Sequence, residues 1–186
     1  MRKEKCLKMI IGGSGGQGIL TLGKVFSYAG INRDLNVSCL PTYGAEMRGG
    51  YIFTTLVFSS ENKILSPVVS KADIGIFMDE KSYRMLLLYI KNGGCIFLNS
   101  SFIKKISDKK YEIFEIPASE MAEKIGNLQV ANMVIGGAAF SIIAKEFFPF
   151  TFEDIIYGIE EVISEKYNRE ISKKAVSVGW EMINSK

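Results

Sequence analysis

A glycine-rich turn between an apolar run and an amphipathic segment constrains the fold of this chain more than any other feature. The turn, GGSGGQG, covers Gly12–Gly18 and directly follows the apolar run Leu7–Ile11. After the turn, the apolar residues of Ile19–Ala29 recur at helical spacing. A strand, a tight turn and a helix in this order predict the opening unit of an α/β fold with a parallel sheet.

The rest of the chain alternates strand and helix patterns before it becomes helical. Further strands are predicted at Val37–Leu40, closed by Pro41, and at Tyr51–Phe58, Ile74–Met78, Cys95–Leu98 and Tyr111–Ile116. Helices are predicted at Ser82–Ile90, Ala118–Ile125, Asn132–Phe148, Phe152–Tyr167 and Ile171–Asn184. We therefore expect an α/β fold in a single domain over residues 1–186. Its sheet should be mixed and mostly parallel, flanked by helices, with a helical C-terminal part.

The composition argues against several classes of function. The net charge is +3 and the charges are interspersed, so the 186 residues contain no basic stripe for nucleic acid. Histidine is absent, which excludes Ser-His and Cys-His catalysis and removes the commonest zinc ligand. The apolar stretch Val130–Ala144 is shorter than the ~20 residues of a membrane span. We expect a soluble, cytoplasmic protein that contacts neither nucleic acid nor membranes.

The cysteines indicate no metal site. Cys6, Cys39 and Cys95 are widely separated, and each lies in a strand-like apolar run. They cannot assemble an iron–sulfur cluster without a fourth ligand. We expect buried thiols in a reducing cytoplasm.

The glycine turn has several possible interpretations. From Gly13 it matches G-x-G-x-x-G, but a dinucleotide site also needs an acid at the end of the second strand, and Asp34 precedes that strand. A Walker-type loop fails too, because Lys24 lies well inside the helix. The residues leave open an anion or backbone approach at a helix N-terminus and simple tight packing of strand against helix. Gln17 is the one side chain of the turn that can both donate and accept hydrogen bonds.

A second loop, TYGAEMRGG, leaves the second predicted strand on the side where open α/β sheets bind ligands. It places Tyr43, Glu46 and Arg48 between Gly44 and the pair Gly49–Gly50. Arg48 paired with Glu46 could present a guanidinium fork to a carboxylate or phosphate, and a solvated turn with a weak ion pair is the alternative.

Taken together, the two loops resemble those of the gamma subunit of 2-oxoacid:ferredoxin oxidoreductases. The matching stretches are GGSGGQGILTLGKVFSYAG and PTYGAEMRGGYIFTTLVFS, followed by ADIGIFMDEKSY, NMVIGGAAFSIIAKE and KKAVSVGWEM. The resemblance covers nearly the whole chain. Within the family, YGAEMRGG is most similar to the Tyr-Gly-Pro-Glu-x-Arg-Gly-Gly loop of the 2-oxoglutarate type, with Ala45 in place of its proline.

The resemblance implies a subunit of a complex that oxidises a 2-oxoacid to acyl-CoA and reduces ferredoxin. Partner subunits of alpha, beta and ferredoxin-like delta type would hold the thiamine diphosphate, Mg and iron–sulfur clusters. This chain would contribute to assembly and to the placement of coenzyme A, and would be inactive alone. The family's cofactor-binding positions correspond here to Gly13, Gly15, Gly16, Gln17, Gly18, Tyr43, Gly44, Glu46, Arg48, Gly49, Gly50 and Asn132.

Two other functions are compatible with these residues. One is a free-standing nucleotide-binding module or an NAD- or flavin-dependent reductase, against which the missing acid counts. The other is an assembly protein that binds no ligand.

Overall fold

The apolar runs of the sequence form the strands of one sheet, and the amphipathic segments form helices around it. The computed structural model describes residues 6–44, 51–61, 64, 66–104 and 108–185. The strands are β1 (Cys6–Ser14), β2 (Asn36–Tyr43), β3 (Tyr51–Ser59), β4 (Ala72–Phe77), β5 (Ile90–Asn99) and β6 (Glu112–Ile116). The α-helices are α1 (Ile19–Ile31), α2 (Glu80–Leu86), α3 (Ala118–Ile125), α4 (Ala131–Glu146), α5 (Phe152–Val162) and α6 (Lys166–Asn184).

The sheet is mixed and mostly parallel, as expected. Its strand order is β2-β3-β1-β4-β5-β6. β4 pairs in parallel with β1 and β5, and β5 pairs in parallel with β6. β3 is antiparallel to both β1 and β2, so among the described strands it alone runs in the opposite direction. The other five strands end at one edge of the sheet, which we call the carboxyl edge.

The two faces of the sheet are covered unequally. One face packs against α1, α3, α4, α5 and α6, and its core includes Phe26, Phe58 and Phe140. On the other face, α2 packs against β1, β3 and β4, and its Tyr83 and Leu86 belong to a second, smaller core. Among the described residues, five α-helices therefore cover the first face, whereas one short α-helix packs on the second.

Strands β1 and β2 both extend beyond their predicted ends. β1 continues through Gly12 and Gly13 to Ser14, so the turn proper begins later than its glycines suggest. β2 runs through Pro41 to Tyr43, and the prediction that Pro41 closes it is wrong. Because β2 is an edge strand, the missing N–H of Pro41 need not cost a ladder hydrogen bond.

The helix boundaries also differ from the prediction at two places. The predicted helix Phe152–Tyr167 ends at Val162, and α6 begins at Lys166, where the Glu165 side chain accepts hydrogen bonds from the Tyr167 and Asn168 N–H groups. α2 ends at Leu86 and a short 3₁₀ turn separates it from β5, which already begins at Ile90.

The most apolar helix lies in the core. The segment Leu128–Glu146 has 19 residues and a mean hydropathy of 1.4, enough by length and composition to cross a membrane, yet 78% of it is buried inside the fold. Gly137 lies against the backbone of Val176, and Gly179 of α6 lies against the carbonyl of Val134. Such close approach is possible only without a Cβ, and the burial is typical of a core helix.

A buried carboxylate joins α1 to the start of α5. Asp154 is 2% exposed, and its oxygens accept hydrogen bonds from Asn32 Nδ2 at 2.8 Å, Arg33 Nε at 2.7 Å and the Thr151 N–H at 2.7 Å. Burial alone would raise the pKa of Asp154, but these three donors together lower it below its ordinary value.

Two of the three cysteines are exposed, contrary to the expectation of buried thiols. Cys6 and Cys39 lie at the surface, and Cys95 is buried. Cys39 is exposed because β2 is an edge strand. Burial and the neighbouring carboxylate of Glu112 raise the pKa of the Cys95 thiol to about 12.

Replacing Asp154 should show how much this carboxylate stabilises the fold. Asp154→Asn should lower the free energy of unfolding by about 2 kcal/mol, because it removes charge-assisted hydrogen bonds. Since the folded-state pKa lies below the ordinary value, this contribution should be complete above the unfolded-state pKa and lost as the pH falls through the folded-state pKa. Urea unfolding at a series of pH values measures both effects, and the exposed Glu160→Gln should change little. Equal stability of wild type and Asp154→Asn at neutral pH would contradict this prediction.

The thiols should differ sharply in reactivity. At pH 8, iodoacetamide should modify Cys6 and Cys39 in the native protein and leave Cys95 intact, because the Cys95 thiol is buried and protonated at that pH. In urea all three should react. Mass spectrometry of tryptic peptides distinguishes the sites, and native-state modification of Cys95 at the rate of Cys39 would refute its assignment as an inert core thiol.

Candidate functional site

The glycine turn lies at the carboxyl edge, between β1 and the first turn of α1. The Gln17 side chain accepts a hydrogen bond from the Ser14 N–H at 2.7 Å, and the Gln17 N–H donates to the Ser14 carbonyl at 3.2 Å. Gln17 therefore holds the turn closed through its side-chain oxygen. Gly18 precedes α1 in a left-handed conformation with φ of 70°, and among the described residues no side chain caps this helix.

The glycines of the turn divide into two kinds. A Cβ on Gly12 would lie 2.5 Å from Leu86 Cδ1, and a Cβ on Gly13 would lie 2.6 Å from Ile19 Cδ1. A Cβ on Gly18 would overlap the Asn132 amide. By contrast, a Cβ on Gly15 would meet only Ile52, at 3.9 Å, and one on Gly16 would have no atom within 4 Å. Tight packing thus explains Gly12, Gly13 and Gly18, whereas Gly15 and Gly16 leave open space.

Asn132 connects the turn to the core helix. It is 3% exposed, and its Nδ2 donates to the Gly18 carbonyl at 2.9 Å. Its Oδ1 accepts from the Met133 N–H at 2.9 Å. With both ends of its amide engaged, Asn132 positions the start of α1.

Two pockets meet at Gly16. The first, of about 270 Å³, has Gly16 and Gln17 on one side and the apolar side chains of Met78, Phe102 and Leu128 on the other. Phe102 and Leu128 are 57% and 58% exposed, so they flank an open mouth.

The second pocket is more polar. It measures about 280 Å³, and its lining includes Gly18, Thr21, Asn168 and Ser172 beside Gly16. The bare backbone of Gly16 thus separates an apolar compartment from a polar one.

The structure shows side-chain hydrogen bonds at the carboxyl edge that were not predicted from the sequence. Ser14 Oγ donates to Asp79 Oδ2 at 2.7 Å, and Asp79 Oδ1 accepts the Ser82 N–H at 2.8 Å, which caps α2. Two strands away, Asn99 Nδ2 donates to Ser119 Oγ at 2.9 Å. Ser14, Asp79 and Asn99 each close or follow an apolar strand at the carboxyl edge, and that position is the signal that could have identified them.

The second loop begins beside the glycine turn. Tyr51 pairs with Ser14 and Tyr43 pairs with Ile52, so the ends of β1 and β2 and the start of β3 are adjacent. The Gly44 N–H donates to the Tyr51 carbonyl at 3.0 Å, and the Tyr43 side chain is 64% exposed. The remaining predicted positions of this loop, Glu46, Arg48, Gly49 and Gly50, lie outside the described residues.

The sheet order removes the geometry of a dinucleotide site. In that site the second strand is a parallel neighbour of the first, and its terminal acid reaches the ribose beside the glycine loop. Here the neighbour of β1 on that side is the antiparallel β3, and β2 lies one strand further away. The topology therefore argues against a dinucleotide site whichever residues follow β2.

Comparison with known proteins places nearly the whole chain in one family. A family model described as "Pyruvate ferredoxin/flavodoxin oxidoreductase" matches residues 8–182. The ketoisovalerate oxidoreductase subunit VorA of Methanothermobacter thermautotrophicus is 29% identical over 136 residues. These residues are 73% of this chain and 28% of VorA, so the chain spans less than a third of the length of this relative.

Two solved structures have the same fold. The gamma subunit of a keto/oxoacid ferredoxin oxidoreductase from Geobacter sulfurreducens superimposes with a TM-score of 0.82 at 20% identity, covering 97% of this chain and 99% of that one. The 2-oxoglutarate:ferredoxin oxidoreductase of Magnetococcus marinus superimposes with a TM-score of 0.83 at 21% identity, covering 98% of this chain and 32% of that one. The predicted fold class and family resemblance are confirmed.

Two glycine substitutions should distinguish a glycine required by tight packing from one that faces open space. Gly18→Ala should destabilise the protein by about 2 kcal/mol or more, because alanine is strained in the left-handed region and its Cβ would displace Asn132. Gly15→Ala should change the free energy of unfolding by less than about 0.5 kcal/mol, since its Cβ meets only an ordinary contact. Chemical denaturation measures both variants, and equal destabilisation would disprove this division of the turn.

Proposed function

Because the chain belongs to the pyruvate ferredoxin/flavodoxin oxidoreductase family, we propose that it is the gamma-type subunit of a multisubunit 2-oxoacid:ferredoxin oxidoreductase. Such a complex converts a 2-oxoacid to acyl-CoA and reduces ferredoxin. One observation carries the proposed role of this subunit: Gly15 and Gly16 form an open, side-chain-free wall at the carboxyl edge, and Gly16 of this wall lines an apolar pocket. This is the edge at which open α/β sheets bind ligands.

The redox and thiamine chemistry belongs, in this proposal, to partner subunits of alpha, beta and ferredoxin-like delta type. Thiamine diphosphate with Mg and iron–sulfur clusters would supply the decarboxylation and the electron transfer there. The thiols of this chain are poorly placed to bind an iron–sulfur cluster, because its three cysteines lie on β1, β2 and β5. The buried Cys95, with its pKa raised to about 12, is also a weak donor in its protonated form.

Coenzyme A is the substrate that fits the two compartments at Gly16. The N-terminus of α1 offers backbone N–H groups and the positive end of the helix dipole, which favour phosphate. Phe102 and Leu128, half exposed at the mouth of the apolar pocket, offer surface for an adenine ring or the pantetheine arm. The chain would bind and orient coenzyme A and exclude water, while the reacting atoms lie in the partner subunits.

For the 2-oxoacid we propose 2-oxoglutarate. The support is the similarity of YGAEMRGG to the loop of the 2-oxoglutarate type, with Arg48 as a contact for the second carboxylate. The solved neighbour from Magnetococcus marinus is described with 2-oxoglutarate, coenzyme A and succinyl-CoA bound. The relative VorA bears a ketoisovalerate name, so the branched 2-oxoacid is the competing substrate.

Reconstitution with the partner subunits from the same genome tests this proposal. The chain alone should oxidise no 2-oxoacid, and the assembled complex should reduce ferredoxin with 2-oxoglutarate faster than with pyruvate or 3-methyl-2-oxobutanoate. Gly15→Val should raise the KM for coenzyme A about tenfold with kcat little changed, because the side chain fills the open wall. Glu181→Gln changes an exposed side chain of α6 that lines neither pocket, so this isosteric control should leave that KM unchanged.

Three outcomes would count against specific parts of this function. Oxidation by the isolated chain would overturn its assignment as a subunit. An unchanged KM for coenzyme A in Gly15→Val would remove coenzyme A from the wall formed by Gly15 and Gly16. Full 2-oxoglutarate activity in an assembled Arg48→Ala complex would remove the role of Arg48.

A further inference from the structure

The hydroxyl of Ser172 is buried without a partner inside the fold. Ser172 lies on α6 and is 3% exposed, and its hydroxyl forms no hydrogen bond with any of the described residues. No described side-chain oxygen or nitrogen is both sealed from solvent and without a partner, so this hydroxyl opens onto a cavity. That cavity is the second pocket at Gly16, which we call the polar pocket.

The fold itself gains nothing from a serine at this position. Serine is a poorer helix former than alanine, and a buried hydroxyl that makes no hydrogen bond loses its solvation. Ala175 and Val176, in the next turn of α6, are fully buried, so alanine at residue 172 would suit the packing at least as well. A hydroxyl that the fold does not use, and that lines a pocket, indicates a ligand.

Hydrogen-bond donors surround the polar pocket on three sides. Asn168 and Ser172 belong to α6, and Thr21 belongs to the first turn of α1. On the third side, Asn127 Oδ1 accepts the Gln129 N–H at 2.9 Å, which leaves Asn127 Nδ2 as a donor. The N–H groups in the first turn of α1 have no carbonyl partner within the helix and add to this set.

The charges around the polar pocket favour an anion. Among the described residues no carboxylate lines it. The guanidinium of Arg169 lies beside it, because Arg169 Nε donates at 2.9 Å to the carbonyl of Ile163, a lining residue. The carboxylate of Glu165 already accepts the N–H groups of Tyr167 and Asn168. The positive end of the α1 dipole adds to the attraction for negative charge.

Donors on three sides fit a terminal phosphate better than a bridging one. A phosphomonoester offers three free oxygens and ends there, whereas each phosphate of a diphosphate offers two and continues at both ends. Coenzyme A carries a single phosphomonoester, on the 3′ carbon of its adenosine ribose. With that group in the polar pocket, the adenine would lie across Gly16 in the apolar pocket, beside Phe102 and Leu128.

We propose that the polar pocket binds the 3′-phosphate of coenzyme A, with the hydroxyls of Ser172 and Thr21 as donors to its oxygens. This inference rests on the proposed function, from which it takes coenzyme A as the substrate. It adds a specificity, since the complex would distinguish coenzyme A from its 3′-dephospho form. Gly16, which has open space where a Cβ would be, lets the ligand pass between the two pockets.

Kinetics with coenzyme A and 3′-dephospho-coenzyme A test the assignment in the reconstituted complex. In the wild type, the KM for dephospho-coenzyme A should be at least about tenfold higher than that for coenzyme A. Ser172→Ala and Thr21→Val should each raise the KM for coenzyme A about tenfold, because each removes a hydrogen bond to a charged group. Both variants should leave kcat and the KM for dephospho-coenzyme A unchanged.

The matched control is Ser177→Ala on the same helix. The Ser177 hydroxyl donates to Glu181 at 2.8 Å, and Ser177 lines neither pocket. Its removal should leave the KM for both coenzymes unchanged.

Two measurements on the isolated chain need no catalytic complex. Ser172→Ala should unfold at the same temperature as the wild type or higher, because the lost hydroxyl has no partner in the fold. In calorimetry, the wild-type chain should bind adenosine 3′,5′-bisphosphate at least about tenfold more tightly than adenosine 5′-monophosphate or inorganic phosphate. Ser172→Ala should lower this preference.

The possible results separate this inference from the proposed function. Equal KM values for the two coenzymes in an active wild-type complex would refute the inference and leave the function intact. An equal rise of both KM values in Ser172→Ala would assign the pocket to the diphosphate and also refute it. Inorganic phosphate bound as tightly as the bisphosphate would assign the pocket to a free anion, and a marked loss of stability in Ser172→Ala would assign the hydroxyl to the fold; either overturns the inference. If no complex oxidises a 2-oxoacid but the isolated chain prefers the bisphosphate through Ser172, the function falls and the 3′-phosphate pocket stands.

Discussion

The insertion of β3 between β1 and β2 is the constraint from which the other features of this fold follow. By pairing antiparallel with both neighbours, β3 brings Tyr51 beside Ser14 and Ile52 beside Tyr43. The hydrogen-bonded ladders thus put the end of β1, where the glycine turn begins, next to the start of β3 and one strand away from the end of β2. The same insertion moves β2 to the edge of the sheet, which removes the dinucleotide arrangement and leaves β2 without a further strand.

The helices cover the two faces of the sheet unevenly. Five helices pack on one face, where glycines at α4–α6 and α1–α5 contacts allow close approach of the backbones. Their buried aromatic and aliphatic side chains supply the main core. On the opposite face, α2 is the α-helix of the described residues that contacts β1, β3 and β4.

Local patterns predicted much of the fold. The glycine turn, α1 and the apolar runs of β4 and β5 were identified because strand and helix periodicities differ strongly over such segments. Errors arose where a tertiary contact overrides a local signal. Pro41 stays in a strand because β2 is an edge, and the pattern of Phe152–Tyr167 is interrupted because Glu165 caps a new helix. Cys39 was expected to be buried, since its neighbours are apolar, but burial depends on what covers a strand.

The candidate site shows the same division. The sequence by itself determined the family, the α/β class and the absence of histidine-based catalysis, because these depend on residue identity and spacing along the chain. It also identified Asn132 and the glycines as a group, but could not separate their roles. Only the tertiary structure decided that Gly18 packs against Asn132 while Gly15 and Gly16 face open space. It alone revealed the contacts of Ser14 with Asp79 and of Asn99 with Ser119. These features are contacts between residues distant in sequence, and the order of the strands in the sheet determines which of them form.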